Sequence, residues 1–265
     1  MNRWAARLVT EGSPPDLVSG WRVMRAFIEK QLGISPSANF INVGRGRRSK
    51  FREYDRPLTL DEIEEEIVLD DDCAFVVSVG DLHEKAIARL AGSCQVESGD
   101  SIFTLSLWSD RRADWTPLVS MANAVLDLIY GYPYLPFYAG WQSETNIGRY
   151  EQCYGPADSR PKVMSGFPPI ERLVIDTSLN PGREFSDNGE FKGVAAEMWF
   201  APRFWERREL SPADVLLAVP GATAEEIHGL TRICSQEREF DRPDGEQGEI
   251  QKALWKVIFN REVRW

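Results

Sequence analysis

Histidine, paired cysteine and long apolar runs are what this sequence has least of, and each shortage removes a class of function. Only two histidines, His83 and His228, occur in 265 residues. Zinc sites of the HExxH kind and histidine cages are therefore excluded, and a Ser-His-Asp set would have two candidates and no GxSxG elbow. His83 follows Gly80 in a turn and His228 falls in a helix start, so neither reads as a catalytic base. The four cysteines, Cys73, Cys94, Cys153 and Cys234, are scattered without a CxxC pair. That spacing argues against a zinc knuckle or a disulfide framework and favours a reducing compartment. Neither a GxxxxGK[ST] loop nor a GxGxxG fingerprint is present; Gly44-Arg-Gly46 lacks a third glycine and precedes no apolar helix. No stretch has the about 20 apolar residues of a membrane span, and the first residues carry no signal-peptide core. A cytoplasmic protein without cofactor or metal is the expectation.

What is present is acid. The formal charge of −10 disfavours nucleic acid and favours a basic protein partner, because the summed field draws opposite charges together. The charge is uneven. A basic cluster at Arg45, Arg47, Arg48, Lys50 and Arg52 has only Phe51 as an aromatic interruption, which reads as a solvated hairpin rather than a nucleic-acid grip. It gives way to Asp61, Glu62, Glu64, Glu65, Glu66, Asp70, Asp71 and Asp72. That run is either a solvated helix face or a surface that mimics phosphate to a basic partner.

Periodicity supplies the elements. Leu17, Trp21, Met24 and Ile28 keep helical spacing over 16–32, and Thr59 with Glu62 has capping-box form. A strand is expected at 40–43 and another over the apolar run 73–79. Ala88 to Val96 and Phe103, Leu105 and Leu107 alternate as half-buried strands of an antiparallel hairpin or meander. The densest apolar block, 115–141, reads as a helix with Thr116 as N-cap and Pro117 at its first position. Its buried face runs through Leu118, Met121, Ala122, Val125, Leu128 and Ile129, and Gly131 and Pro133 stop it. The aromatics beyond it, Tyr132, Tyr134, Phe137, Tyr138 and Trp141, form either a binding surface or a core-covering loop. An irregular connection is expected over 142–169, then strands at 172–176 and 194–205. Helix starts are expected at Ser211 and Thr223, and a last helix carries Ile250, Ala253, Leu254, Val257 and Ile258 on one face. The resulting class is α+β, an antiparallel sheet with helices on one face, in a single domain over 1–265. A division into two similar halves, about 1–141 and 142–265, stays open, with no residue-level repeat behind it.

One catalytic constellation competes. Asp176 ends the apolar run 173–175 and Glu190-Phe-Lys192 stands beyond a turn, the order of a Mg²⁺-dependent nuclease with two carboxylate ligands and a lysine that positions water. Against it, Gly189 and Gly193 flank the tripeptide and would hold metal ligands loosely.

With no convincing catalytic set, the profile is that of a protein that binds another. The chain resembles the immunity proteins of bacterial polymorphic-toxin and type VI secretion systems, most of all the immunity protein 52 family. The resemblance rests on Trp21, Trp108, YLPFYAGW at 134–141, RLVID at 172–176, Met198-Trp199 and Phe204-Trp205. It implies a cytoplasmic protein that neutralises a cognate nuclease toxin of the restriction-endonuclease-like type, and it supplies no catalytic residues. The interface expected from the residues themselves joins acidic Glu64, Glu65, Asp70, Asp71 and Asp72 to an aromatic anchor of Tyr134, Tyr138 and Trp141. An adaptor or chaperone for an exported effector would use the same surface.

Overall fold

The computed structural model describes residues 2–11, 17–32, 40–45, 59, 61, 62, 64, 65, 74–80, 86–94, 100–109, 112–167, 169–187 and 190–265. In chain order the elements are β1 (Asn2–Glu11), α1 (Leu17–Leu32), β2 (Phe40–Arg45), β3 (Ala74–Gly80), β4 (Ala86–Cys94), β5 (Asp100–Ser109), α2 (Thr116–Val125) and β6 (Leu128–Tyr134). There follow α3 (Pro136–Ser143), α4 (Ile147–Tyr154), β7 (Lys162–Ser165), β8 (Arg172–Ile175), β9 (Phe185–Asp187) and β10 (Glu190–Lys192). The chain continues through β11 (Glu197–Phe200), α5 (Pro202–Arg208), α6 (Pro212–Ala218), β12 (Thr223–Ile227), β13 (Leu230–Cys234) and α7 (Gly245–Phe259). A nine-stranded sheet runs β12-β13-β11-β6-β1-β5-β4-β3-β2, and β7-β8 and β9-β10 form separate two-stranded hairpins. Strands from both sides of residue 141 thus share one sheet, with β11 paired to β6 through Trp199 opposite Gly131.

The α+β reading stands, but the helices cover both faces of the sheet, not one. On β11, Trp199 joins the core that holds Trp21, Met24 and Phe27 of α1 and Leu118 of α2. Its neighbours Met198 and Phe200 join the opposite core, with Phe204 of α5 and Leu254, Trp255 and Ile258 of α7. Successive strand residues face opposite ways, so the two clusters lie on opposite faces.

β1 is one of the strands that sequence periodicity missed. Ala6 and Leu8 enter the first core and Val9 the second, so both faces are buried and no polar alternation marks it. It pairs with β5 from Asn2–Ser109 to Glu11–Asp100 and with β6 from Ala5–Tyr134 to Thr10–Leu128.

The 115–141 block divides where a single helix was expected. α2 ends at Val125, which is 60% exposed, and Leu126 turns extended at ψ 154°. Leu128 and Ile129 therefore belong to β6, where Tyr130, Tyr132 and Tyr134 point to the α7 face and Gly131 to the α2 face. Aromatics in alternation suit a pleated, buried strand better than a helix. Thr116 is not the N-cap either: Trp115 holds that place, and the Thr116 backbone N–H donates to Asp114.

Other boundaries moved for local reasons. The expected strand at 194–205 ends at Phe200, because Pro202 opens α5. The supposed helix start at Thr223 is strand β12, since His228 and Gly229 take left-handed φ of 51° and 77° and close a tight hairpin into β13. Within 142–169 lies α4, capped by Asn146 accepting from the Arg149 N–H, and then β7. Two capping boxes are made as read: Thr59 with Glu62, and Ser211 with Asp214.

One partly buried ion pair ties the loop before β9 to the middle of the sheet. Arg7 donates to Glu184 at 2.5 Å and to the Tyr134 hydroxyl at 2.9 Å, and Tyr132 donates its hydroxyl to Glu184 at 2.6 Å. Burial alone would lower the Arg7 pKa, but Glu184 and Tyr134 outweigh it and hold the charge firmly on. Arg7→Met is expected to destabilise the protein by about 3–5 kcal/mol, since it strands the Glu184 carboxylate, with the loss partly recovered in Arg7→Met/Glu184→Gln. Urea melts of the three proteins check this. Gly20 lets α1 rest directly on the Phe103 ring, into which an added Cβ would run. Gly20→Ala is expected to lower the urea midpoint by the equivalent of about 1–3 kcal/mol, although alanine is the better helix former.

Candidate functional site

The acidic run is placed only in part. Glu64 is half-buried and accepts from Arg22 Nη2 at 2.6 Å; Glu65 is exposed; Asp61 accepts from Arg25 at 2.7 Å. These contacts fasten the capping-box turn to the outer side of α1, so part of this acid is already neutralised by the fold. Asp70, Asp71 and Asp72 lie outside the described residues, as do Arg47, Arg48, Lys50, Arg52 and His83.

The aromatic anchor is turned inward. Tyr138 is buried, and its hydroxyl donates to Gln251 of α7 at 2.8 Å; burial pushes its pKa well up. Tyr134 is half-buried under Arg7, whose guanidinium carbon lies 4.8 Å from its ring centre. Trp141 donates its indole N–H to the Tyr150 hydroxyl at 2.7 Å and packs edge-on against Tyr138 and Trp265. Of the expected set, Tyr138 thus offers no free ring to a partner, and the other two are held on most sides by this chain.

The nuclease residues are kept apart by their local partners. Asp176 follows β8, and the Ser178 hydroxyl and N–H hold its carboxyl below the usual range. Glu190 and Lys192 sit on β10, where Lys192 pairs with Asp187 at 3.0 Å and Arg208 pairs with Glu190. Among the described residues no group of three or more His, Cys, Asp or Glu could hold a metal ion. His228 serves the β12–β13 turn.

A different surface stands out. The β7–β8 hairpin projects Phe167, 88% exposed, and Ile170, 81% exposed, from its tip. Met164 and Leu173 are paired across the hairpin just below the tip and share one face, both more than half exposed. Contiguous exposed apolar side chains of this size mark interaction sites. The sequence reading passed over them because they lie between glycine and prolines. The legible signal was Phe and Ile in an otherwise polar stretch.

Clefts also open among the described residues. One of about 360 Å³ is bounded by Arg112, Glu197, Arg232 and Cys234. There the buried Glu197 accepts from Arg232 at 2.6 Å and pairs with Arg112, which also pairs with the buried Glu239. Another, of about 380 Å³, lies at the root of the β7–β8 hairpin between Arg160, Asp176 and Trp265.

No family model matches the chain, and no curated protein matches it. Among solved structures, Pseudomonas aeruginosa T6SS protein PA0821 is similar over 96% of this chain and 72% of its own, with a TM-score of 0.56 at 11% identity. At that identity the likeness shows a common fold. The immunity protein 52 resemblance gains no support from a family model. No helix among the described residues is long and apolar enough to cross a membrane.

Of the two cysteines described at side-chain level, Cys153 is exposed on α4, whereas burial and Glu197 push the Cys234 thiol up. Iodoacetamide at neutral pH is expected to modify Cys153 well before Cys234, as peptide mass spectrometry over a time course would show.

Proposed function

We propose that this protein is an immunity protein of a type VI secretion system, which binds a cognate nuclease toxin and blocks its active site or substrate groove. The observation that carries this reading is the exposed apolar tip at Phe167 and Ile170, in a chain that buries most of its other large aromatics. Such a tip supplies the desolvated anchor that stable protein complexes need. The formal charge of −10 supplies long-range attraction to a basic nuclease and acts from the whole surface, Glu65 included. The fold shared with a T6SS protein and the resemblance to immunity proteins support the same assignment. The mechanism is occlusion: charge speeds encounter, the hairpin tip slows release, and no bond is made or broken by this chain.

The test is co-expression with the toxin encoded beside it, followed by affinity measurement on the purified pair. Phe167→Ser and Ile170→Ser are each expected to weaken the complex by about 2 kcal/mol and to leave the melting temperature unchanged, because both side chains are exposed. Charge reversal at Glu64 and Glu65 is expected to slow association more than it speeds dissociation. Absence of a complex and of protection would overturn the proposal. A complex whose loss stops export while the producing cell stays healthy would identify an adaptor instead.

A further inference from the structure

The cleft at the root of the β7–β8 hairpin holds a charge that the fold leaves unanswered. Arg160 precedes β7 and is 8% exposed, yet neither its Nε nor its Nη2 finds an acceptor among the described residues. These two nitrogens make up one edge of the guanidinium, the fork that grips both oxygens of a carboxylate at once. Arg7 and Arg208 also have a guanidinium nitrogen without an acceptor among the described residues, but each is paired to a carboxylate, Arg7 to Glu184 and Arg208 to Glu190. Arg160 instead has aromatic rings, with Trp265 centred 4.0 Å from its guanidinium carbon and Tyr150 5.7 Å away. A buried guanidinium edge without an acceptor is costly, and a fold keeps one where something else supplies the acceptor.

The surroundings are those of a site. Arg160, Pro161, Asp176, Asn180, Arg264 and Trp265 line the same cleft, whose volume of about 380 Å³ suits a small ligand or one side chain. Two backbone hydrogen bonds hold part of its wall: the Asp176 N–H donates to the Pro161 carbonyl at 2.8 Å, and the Arg264 N–H to the Leu179 carbonyl at 2.7 Å. Asn180 is buried and donates its amide to the Gln142 carbonyl at 2.7 Å. Thr177, between the wall residues Asp176 and Leu179, has a buried hydroxyl with no partner among the described residues.

We propose that this cleft binds the carboxylate of an apolar or aromatic acid, which the Nε–Nη2 edge of Arg160 takes in bidentate fashion as the indole of Trp265 moves off to cover the ligand's apolar part. Rearrangement around the guanidinium is required, because both nitrogens are closed to solvent in this structure. A single negative charge is selected over a phosphate dianion, since the Asp176 carboxylate lines the same cleft. The same chemistry is carried by a free small acid and by the carboxyl end of a peptide. This site stands apart from the toxin-binding reading and survives its failure.

Titration of the ¹⁵N-labelled chain with sodium phenylacetate, followed through the Arg160 Nε–H and Trp265 indole N–H signals, tests the assignment. Saturable shifts of both are expected with a Kd on the order of 1 mM, the range for a ligand of this size. Arg160→Lys keeps the charge but loses the fork and is expected to weaken binding about tenfold. Asp176→Asn is expected to tighten it and to narrow the preference over inorganic phosphate. Acetyl-Ala-Phe with a free carboxyl end, against its amide, distinguishes the sources: tighter binding than phenylacetate assigns a peptide terminus, weaker binding a small acid. The proposal fails if phenylacetate gives no saturable shift, if phosphate binds more tightly, or if Asp176→Asn weakens binding. It fails also if a folded Arg160→Lys binds as the parent does.

Discussion

The position of β1 between β5 and β6 is the constraint on which the rest depends. On one side of it lies the meander β2 to β5; on the other lie β6, β11, β13 and β12. Remove β1 and the sheet becomes two smaller sheets, each with a raw inner edge of unpaired backbone groups. Because the residues of β1 serve both faces, it also sets the spacing between the α1–α2 layer and the α5–α7 layer. Its one long charged side chain in the middle, Arg7, faces the α7 side and is answered by Glu184 and two tyrosines of the neighbouring strand.

That arrangement explains where the aromatic residues go. Tyr130, Tyr132, Phe200, Phe204, Trp255 and Phe259 form a nearly continuous set of ring contacts between sheet and helices. Several carry a polar end that is satisfied inside: Tyr130 donates to the Phe191 carbonyl and Trp255 to the Pro181 carbonyl. Core-building uses up most of the rings that composition alone would have offered to a partner. Among the described residues the exposed aromatic exceptions are Phe167 on the β7–β8 tip, Phe137 at the start of α3 and Trp265, and of these Phe167 is the most exposed.

Much of this was written locally in the chain. Trp21, Met24 and Ile28 do face the core from α1, the strands at 74–80, 86–94 and 100–109 form the expected meander, and Leu254 and Ile258 bury one side of α7. What failed had nonlocal causes. Thr223-Ala-Glu-Glu226 carries the same cap signal as Thr59, but the left-handed pair after it and the apolar β13 make it a strand. Leu128 and Ile129 kept helical phase by coincidence, while the tyrosines beyond them alternated with period two. No local pattern pairs Arg7 with Glu184, because the two stand 177 positions apart. Of the expected interface, Glu64 is paired with Arg22 and Tyr138 with Gln251, partners that stand far off in the sequence, and the hairpin tip was hidden among glycine and prolines.

The middle of the sheet also dictates the tempo of folding. Arg3 meets Ser106 and Arg7 meets Tyr134, contacts separated by 103 and 127 residues, whereas β12 and β13 are joined by a two-residue turn. Closing such wide loops costs entropy before any contact repays it, so the outer hairpins assemble early and the central seam forms last. Until residue 109 has left the ribosome β1 of a newborn chain waits with both of its backbone edges open, and until residue 134 follows one of them stays so; it is there that a chaperone has most to protect.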